Sequence, residues 1–166
     1  MGKYVVSDTH FNHENIIKYC DRPFSSVEEM NLKLIDNWNS VIKPEDTVFF
    51  LGDFCLGGKE DIINIGSKLN GHKVMIMGNH DKGTATTYKA AGFETVYKKP
   101  TIIYFPEEDI TIEFSHTPKD SEYFNIHGHM HDKGVNDEKH YCACLEMNDY
   151  KPIPLNNIIK YFKGEE

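Results

Sequence analysis

Residues 47–81 read TVFFLGDFCLGGKEDIINIGSKLNGHKVMIMGNHD. The run Thr47–Leu51 is apolar and rich in strand-forming residues, and it ends in Gly52-Asp53. Over Glu60–Leu69 the residues Ile62, Ile63, Ile65 and Leu69 recur at helical spacing, and Asn70-Gly71 then turns the chain. Lys73–Met77 is a second apolar run, closed by Gly-Asn-His-Asp at Gly78–Asp81. Strand, helix and strand in that order predict a βαβ unit and therefore a parallel sheet. Open α/β sheets carry their functional groups just past the carboxyl ends of strands, where the strand fixes a side chain and the following loop leaves it open.

Working outward, Lys3–Ser7 reads as a first strand and a short helix follows near Asn15–Tyr19. Ser26 with Glu29 forms a capping-box pattern, and Val27, Met30, Leu34, Ile35, Trp38, Val41 and Ile42 give Ser26–Val41 one apolar helical face for the core. Downstream, a helix near Thr86–Ala91 ends at Gly92. Thr95–Tyr97, Thr101–Tyr104 and Ile110–Ser115 read as short strands, the last two joined by a hairpin-like turn at Pro106–Asp109. Tyr123–His127 and Tyr141–Met147 read as further strands, and Leu155, Ile158, Ile159 and Phe162 behind Pro154 as a closing helix. The fold class expected is α/β: a four-layer α/β/β/α sandwich of two mixed sheets flanked by helices.

The chain has 166 residues and a net charge of −8, which fits one domain over residues 1–166 with a core of ordinary size. Arg22 is the one arginine among eighteen basic residues, and the lysines are scattered. An extended nucleic-acid surface wants a basic stripe, so none is expected. No apolar stretch reaches membrane-spanning length and no basic, apolar leader opens the chain, so no membrane association and a cytoplasmic location are expected. Cys20, Cys55, Cys142 and Cys144 lack disulfide or zinc spacing and read as free thiols. Cys55, two beyond Asp53, reads as a packed thiol.

Five apolar runs end in clusters of Asp, His and Asn: Ser7–His10, Gly52–Asp53, Gly78–Asp81, Ser115–Thr117 and Gly128–His131. Asp8 and His10, at i and i+2 on an extended segment, point the same way and suit one ion. Asp53 has two oxygens with which to bridge two ions, Asn79 offers a neutral oxygen, and His116, His129 and His131 add imidazoles, with His80 spare. Nitrogen and oxygen ligands without thiolate suit Mn, Fe, Zn or Ni better than a calcium or magnesium cage. Two divalent cations against Asp8 and Asp53 leave about +2 at the site, for which a phosphate is the natural guest.

The ordered set Asp-x-His, Gly-Asp, Gly-Asn-His-Asp, a lone His and Gly-His-x-His resembles the calcineurin-like metallophosphoesterase superfamily, in its small uncapped bacterial and phage type. The blocks span Asp8 to His131, most of the chain. The resemblance implies two divalent metal ions, most suitably Mn²⁺. Asp8, His10, Asp53 and His131 would hold the first; Asp53, Asn79, His116 and His129 would hold the second. It implies His80 as the acid that protonates the leaving oxygen, with Asp81 as its orienting partner.

The substrate expected is a small or nucleotide-like phosphodiester, attacked by a metal-bridging hydroxide. A phosphomonoesterase acting on nucleotides or phosphoproteins is the second enzyme reading, and a non-catalytic metal-binding scaffold is the rival from another class. Three residues near the first block are candidate substrate contacts. Arg22 is either a bidentate phosphate clamp or a structural ion pair. Asn12 and His13 either reach substrate oxygens or serve as caps and surface groups. His127 is a candidate support for a ligand histidine. The oligomeric state is open.

Overall fold

The computed structural model describes residues 1–165, so Glu166 of the expected domain lies outside the described residues. In chain order the strands are β1 (Lys3–Val6), β2 (Thr47–Phe50), β3 (His72–Ile76), β4 (Phe93–Tyr97), β5 (Thr101–Phe105), β6 (Ile110–Ser115), β7 (Phe124–His127), β8 (His140–Cys142) and β9 (Ile153–Pro154). The helices are α1 (Glu14–Tyr19), α2 (Val27–Val41), α3 (Lys59–Gly66), α4 (Ala85–Ala90) and α5 (Leu155–Lys163). Short 3₁₀ turns occupy His131–Lys133 and Leu145–Met147.

The βαβ expectation is met: β2 and β3 run parallel with Thr47 opposite His72, and α3 crosses between them. The first sheet has the order β4-β3-β2-β1-β9, parallel except for β9 at one edge. The second has the order β5-β6-β7-β8, with β5 antiparallel to β6 and the rest parallel. These are the two mixed sheets expected, with helices flanking them.

Period-two alternation builds the layers. Val6, Val48, Phe50 and Met75 face the helices, where Met30, Leu34 and Trp38 of α2, Ile62 and Ile65 of α3 and Tyr88 of α4 meet them. Val5, Phe49, Leu51 and Ile76 point the other way and pack on Phe105, Ile110, Ile112, Phe114 and Ile126 of the second sheet. Phe49 and Phe114 stack across the sheets at 4.7 Å. α5 closes this inter-sheet core with Leu155, Ile158, Ile159 and Phe162, its Phe162 stacked on Phe124 at 4.7 Å. The cap expected for α2 is present, Glu29 N donating to Ser26 Oγ at 3.2 Å.

The C-terminal third departs from the sequence reading. The strand expected over Tyr141–Met147 stops at Cys142, because the chain there leaves the second sheet for the first. Ala143 N donates to His127 O at 2.8 Å while Ser7 N donates to Ala143 O at 3.0 Å. Asn148 Nδ2 then takes the carbonyls of Cys142 and Cys144 at 3.0 and 2.8 Å and folds Leu145–Met147 into a turn. The unforeseen β9 pairs antiparallel with β1 at a sheet edge, where Pro154 need not donate to a ladder.

Candidate metal centre

All five polar clusters gather where the carboxyl ends of β1, β2, β3, β6 and β7 meet. Asp8 and His10 are brought together, but not by the extended backbone expected. Asp8, His10, Asp53, His129 and His131 sit at φ 58, 48, 57, 69 and 50°, the left-handed region that non-glycine residues usually avoid. Such conformations cost roughly 1–3 kcal/mol each and persist where surrounding bonds hold them. Here the strand-end loops hold one another: Asp8 N donates to Gly52 O, His10 N to Asp53 O and Phe11 N to Phe54 O at 2.9–3.0 Å. Gly52 has φ 95° and no room for a side chain, since a Cβ would lie 2.5 Å from Gly78 N.

Two ligand groups result. In Asp8–His10–His131 and in Asp53–His116–His129 the candidate ligand atoms all lie within 4.8 Å of one another. Each group draws on both sheets, and Asp53 joins them: its Oδ2 is 3.5 Å from His10 Nε2 and 3.4 Å from His116 Nε2. Asn79 Oδ1 lies 2.8 Å from His116 Nε2, which lies 3.2 Å from His129 Nδ1.

The donor set fits cations. Asp8 Oδ2 accepts from Ser7 Oγ, from His129 N at 2.8 Å and from Cys144 Sγ at 3.4 Å. Its other oxygen, Oδ1, is buried and has no hydrogen-bond partner among the described residues; the same holds for His10 Nε2, 3.6 Å away. Orphaned buried polar atoms are costly, and a carboxylate oxygen facing an imidazole nitrogen suits an ion between them. The imidazoles are turned for this: His116 Nδ1 faces Leu51 O at 2.8 Å and His131 Nδ1 faces Glu146 Oε1 at 3.0 Å, so Nε2 of each looks inward.

The charges agree. Burial works to raise the Asp8 carboxyl, but His10, His116 and His131 around it outweigh burial and hold it below the usual range. Asp53 is likewise lowered against burial, by His116 and by the His80 amide, which donates to Asp53 Oδ1 at 2.9 Å. Burial lowers His116, yet contact with Asp53 and the charge of Asp8 push it up to about 9. Both carboxylates are thus kept ionised, ready for cations.

Several sequence-predicted residues take other places. Arg22 is turned away from the cleft and is 3% exposed. Its guanidinium donates to Asp8 O at 2.7 Å, to Thr9 O at 2.9 Å and to Glu146 Oε1 at 2.7–2.9 Å. A guanidinium so fully engaged is a structural ion pair and not a phosphate clamp. A third group of possible metal ligands, Cys20, His131 and Glu146, already has this cation against its carboxylate. Asn12 exchanges bonds with Asn31 of α2, at 2.6 and 3.0 Å, and does not line the cleft. Asp81 accepts from Asp53 N and Gly78 N at 2.7 Å and from Phe54 N and Tyr88 Oη at 3.0 Å, and none of these is the His80 ring. It ties two ligand loops together through their backbones.

His13 and His80 do line the cleft, with ring centroids 5.3 and 5.7 Å from that of His10. His127 bonds Gly128 O at 2.9 Å and so braces the loop that carries His129, not a ligand ring. Cys55 is a buried packed thiol, and all four cysteines are free. Sequence reasoning missed Glu146, Cys144, Ser7 and Tyr88. The only signal for Glu146 was the lone arginine, which when buried needs a carboxylate; nothing local said which one.

A family model described as calcineurin-like phosphoesterase matches residues 3–161. The chain belongs to that family. The phosphoesterase is 39% identical to the uncharacterized protein MJ1445 of Methanocaldococcus jannaschii, over 95% of this chain and 89% of the relative. Gene 66 protein of Mycobacterium phage L5 is 36% identical over 47% of this chain and 39% of its own length. Among solved structures, the protein of unknown function AQ665 from Aquifex aeolicus superimposes with a TM-score of 0.75 and 30% identity, over 96% of this chain and 98% of that one. The Pseudomonas putida nuclease MPE shares the fold, with a TM-score of 0.52 and 18% identity over 78% of this chain and 61% of that one. The chain is thus a metal-dependent hydrolase of phosphoric esters. No helix among the described residues is long and apolar enough to cross a membrane.

Proposed function

We propose that the phosphoesterase hydrolyses a small phosphodiester at a binuclear centre, with Mn²⁺ as the preferred ion among Mn, Fe, Zn and Ni. The observation that carries this is the position of Asp53 Oδ2 between His10 Nε2 and His116 Nε2, at 3.5 and 3.4 Å, as a carboxylate shared by two sites must be. Asp8, His10, Asp53 and His131 would hold the first ion; Asp53, Asn79, His116 and His129 would hold the second. Bound there, such ions supply Lewis acidity toward phosphoryl oxygens and lower the pKa of water.

The chain's own groups do the rest. His80 is exposed at the cleft while its amide is tethered to Asp53, so its backbone is fixed beside the centre and its ring is placed to donate the proton to the leaving oxygen. Asp81 acts through the backbone, fixing Asp53 and the loop that presents Asn79 and His80. His13 is the residue left to meet a phosphoryl oxygen from the α1 side. A diester is favoured over a monoester by charge. Arg22 is spent inside the fold, and on the side lined by His10, His80, His129 and His131 the one lysine or arginine among the described residues is Lys133, with Asp132 beside it; Lys98, Lys99 and Lys119 line a separate hollow on the Asn79 and His116 side. A monoanionic diester needs less neutralisation than a dianionic monoester. Buried free thiols at Cys142 and Cys144 accord with a reducing, cytoplasmic compartment.

The test is Mn²⁺-loaded protein with bis-p-nitrophenyl phosphate and p-nitrophenyl phosphate side by side. Faster turnover of the diester is expected. Preference for the monoester makes the protein a phosphatase, and metal uptake without turnover of either makes it a scaffold.

A further inference from the structure

The cleft is larger than a phosphoryl group requires. It holds about 410 Å³, a volume typical of small-molecule sites, and runs from the imidazoles of His10, His80, His129 and His131 out between α1 and the turn at His131–Lys133. Beyond the imidazoles its walls are Ile16 and Tyr19 on one side and Met130 on the other, with Asp132 and Lys133 there as well. Ile16 belongs to the core, but Tyr19 and Met130 belong to neither core cluster. Tyr19 is 73% exposed and Met130 36% exposed. Packing therefore does not explain why a large aromatic and a thioether stand here. The Tyr19 ring lies 6.4 Å from that of His13 and nearly perpendicular to it, at 82°.

From this we propose that Tyr19 and Met130 form a subsite for the nucleobase of a nucleotide ester, the base stacking on the Tyr19 ring while its phosphate meets the metal centre past His13. The assignment rests on the phosphoesterase reading above and names its substrate class. Aromatic rings and methionine sulfur both favour a flat π surface, and stacking tolerates any base. Asp132 and Lys133 offer an acceptor and a donor to the polar edge that a base has and a plain aryl or alkyl group lacks.

Calorimetry on Mn²⁺-loaded protein tests it with adenosine 5′-monophosphate, ribose 5-phosphate and phenyl phosphate. The nucleotide should bind about tenfold or more tighter than ribose 5-phosphate, in line with one base stacked on one ring. Tyr19→Ala should collapse that ratio toward one, Met130→Ala should reduce it, and Tyr19→Phe should keep it. Equal affinities for the nucleotide and ribose 5-phosphate in the unaltered protein overturn the proposal, as does phenyl phosphate binding as tightly as the nucleotide. The two readings fail separately. Selective nucleotide binding with no ester hydrolysed would leave the subsite standing and remove the hydrolase, whereas diester hydrolysis with equal affinities would do the reverse.

Discussion

Asp53 shows how much one residue can be asked to do. Its Oδ2 faces both imidazole groups, its Oδ1 holds the His80 amide, and its own amide is held by Asp81. Asp53→Ala should therefore reduce bound metal at both positions, while Asn79→Ala, which removes a neutral oxygen from one side, should chiefly weaken one. Metal stoichiometry by elemental analysis decides; equal retention in both variants would remove the bridging role. His80 carries a sharper prediction, since it is no ligand in this scheme: His80→Ala should cut kcat by about 10²–10⁴-fold with metal content unchanged. Turnover that survives the change would take the acid role from it. Glu146→Gln should lower metal affinity about tenfold or more, because a neutral amide can still orient the His131 ring but no longer strengthens it as a ligand with a negative charge. These residues differ in how readable they were. Every proposed ligand announced itself at a strand end, whereas Glu146 meets Arg22 across 124 positions of sequence.

Among the elements, α2 was legible because its periodicity, its Ser26 cap and its apolar face agree. Trp38 in its last turn is 2% exposed, and its indole Nε1 donates to Asn70 O at 2.9 Å. Trp38→Ala should cost about 3–5 kcal/mol in denaturant unfolding, through the cavity and the stranded carbonyl. The turn into β2 gives a pH-dependent expectation. Asp46 accepts from Gly2 N at 2.6 Å and Lys43 N at 3.0 Å, and these amides hold its pKa below the ordinary 3.8. A depressed folded pKa means that the ionised group stabilises above the ordinary value and that this contribution fades as pH falls through the folded value. Asp46→Asn should thus be less stable than the parent at pH 7, with the gap closing in strong acid; a gap that widens there would contradict the bond. Tyr141–Met147 was misread for a physical reason. Its residues have strand composition, but Ala143 and Cys144 leave one sheet to bond Ser7 in the other, a competition that local pattern does not encode.

At the scale of the whole molecule, the metal centre also joins the sandwich. Asp8, His10 and Asp53 extend from the first sheet and His116, His129 and His131 from the second, so ions held by both groups would tie the sheets at one end. A ligand that binds only the folded chain stabilises it by about 2.7 kcal/mol at a hundredfold excess over Kd, or roughly 5–10 °C in Tm for a chain of this size. Stripping with a chelator should lower Tm by that order and Mn²⁺ should restore it. Identical melting with and without metal would mean that the ions do not span the sheets.

The sequence by itself determined the parallel βαβ core, the two sheets and the five strand ends with their ligand types, because alternation, helical spacing and glycine turns act over short separations. Tertiary structure decided what those ends do to one another. It turned Arg22 from the cleft to Glu146, made Asp81 a brace between loops and left Tyr19 and Met130 facing an open cleft. Each of these depends on which distant segment supplies the last hydrogen bond or leaves a face uncovered, and that is settled only when the two sheets close on a shared core.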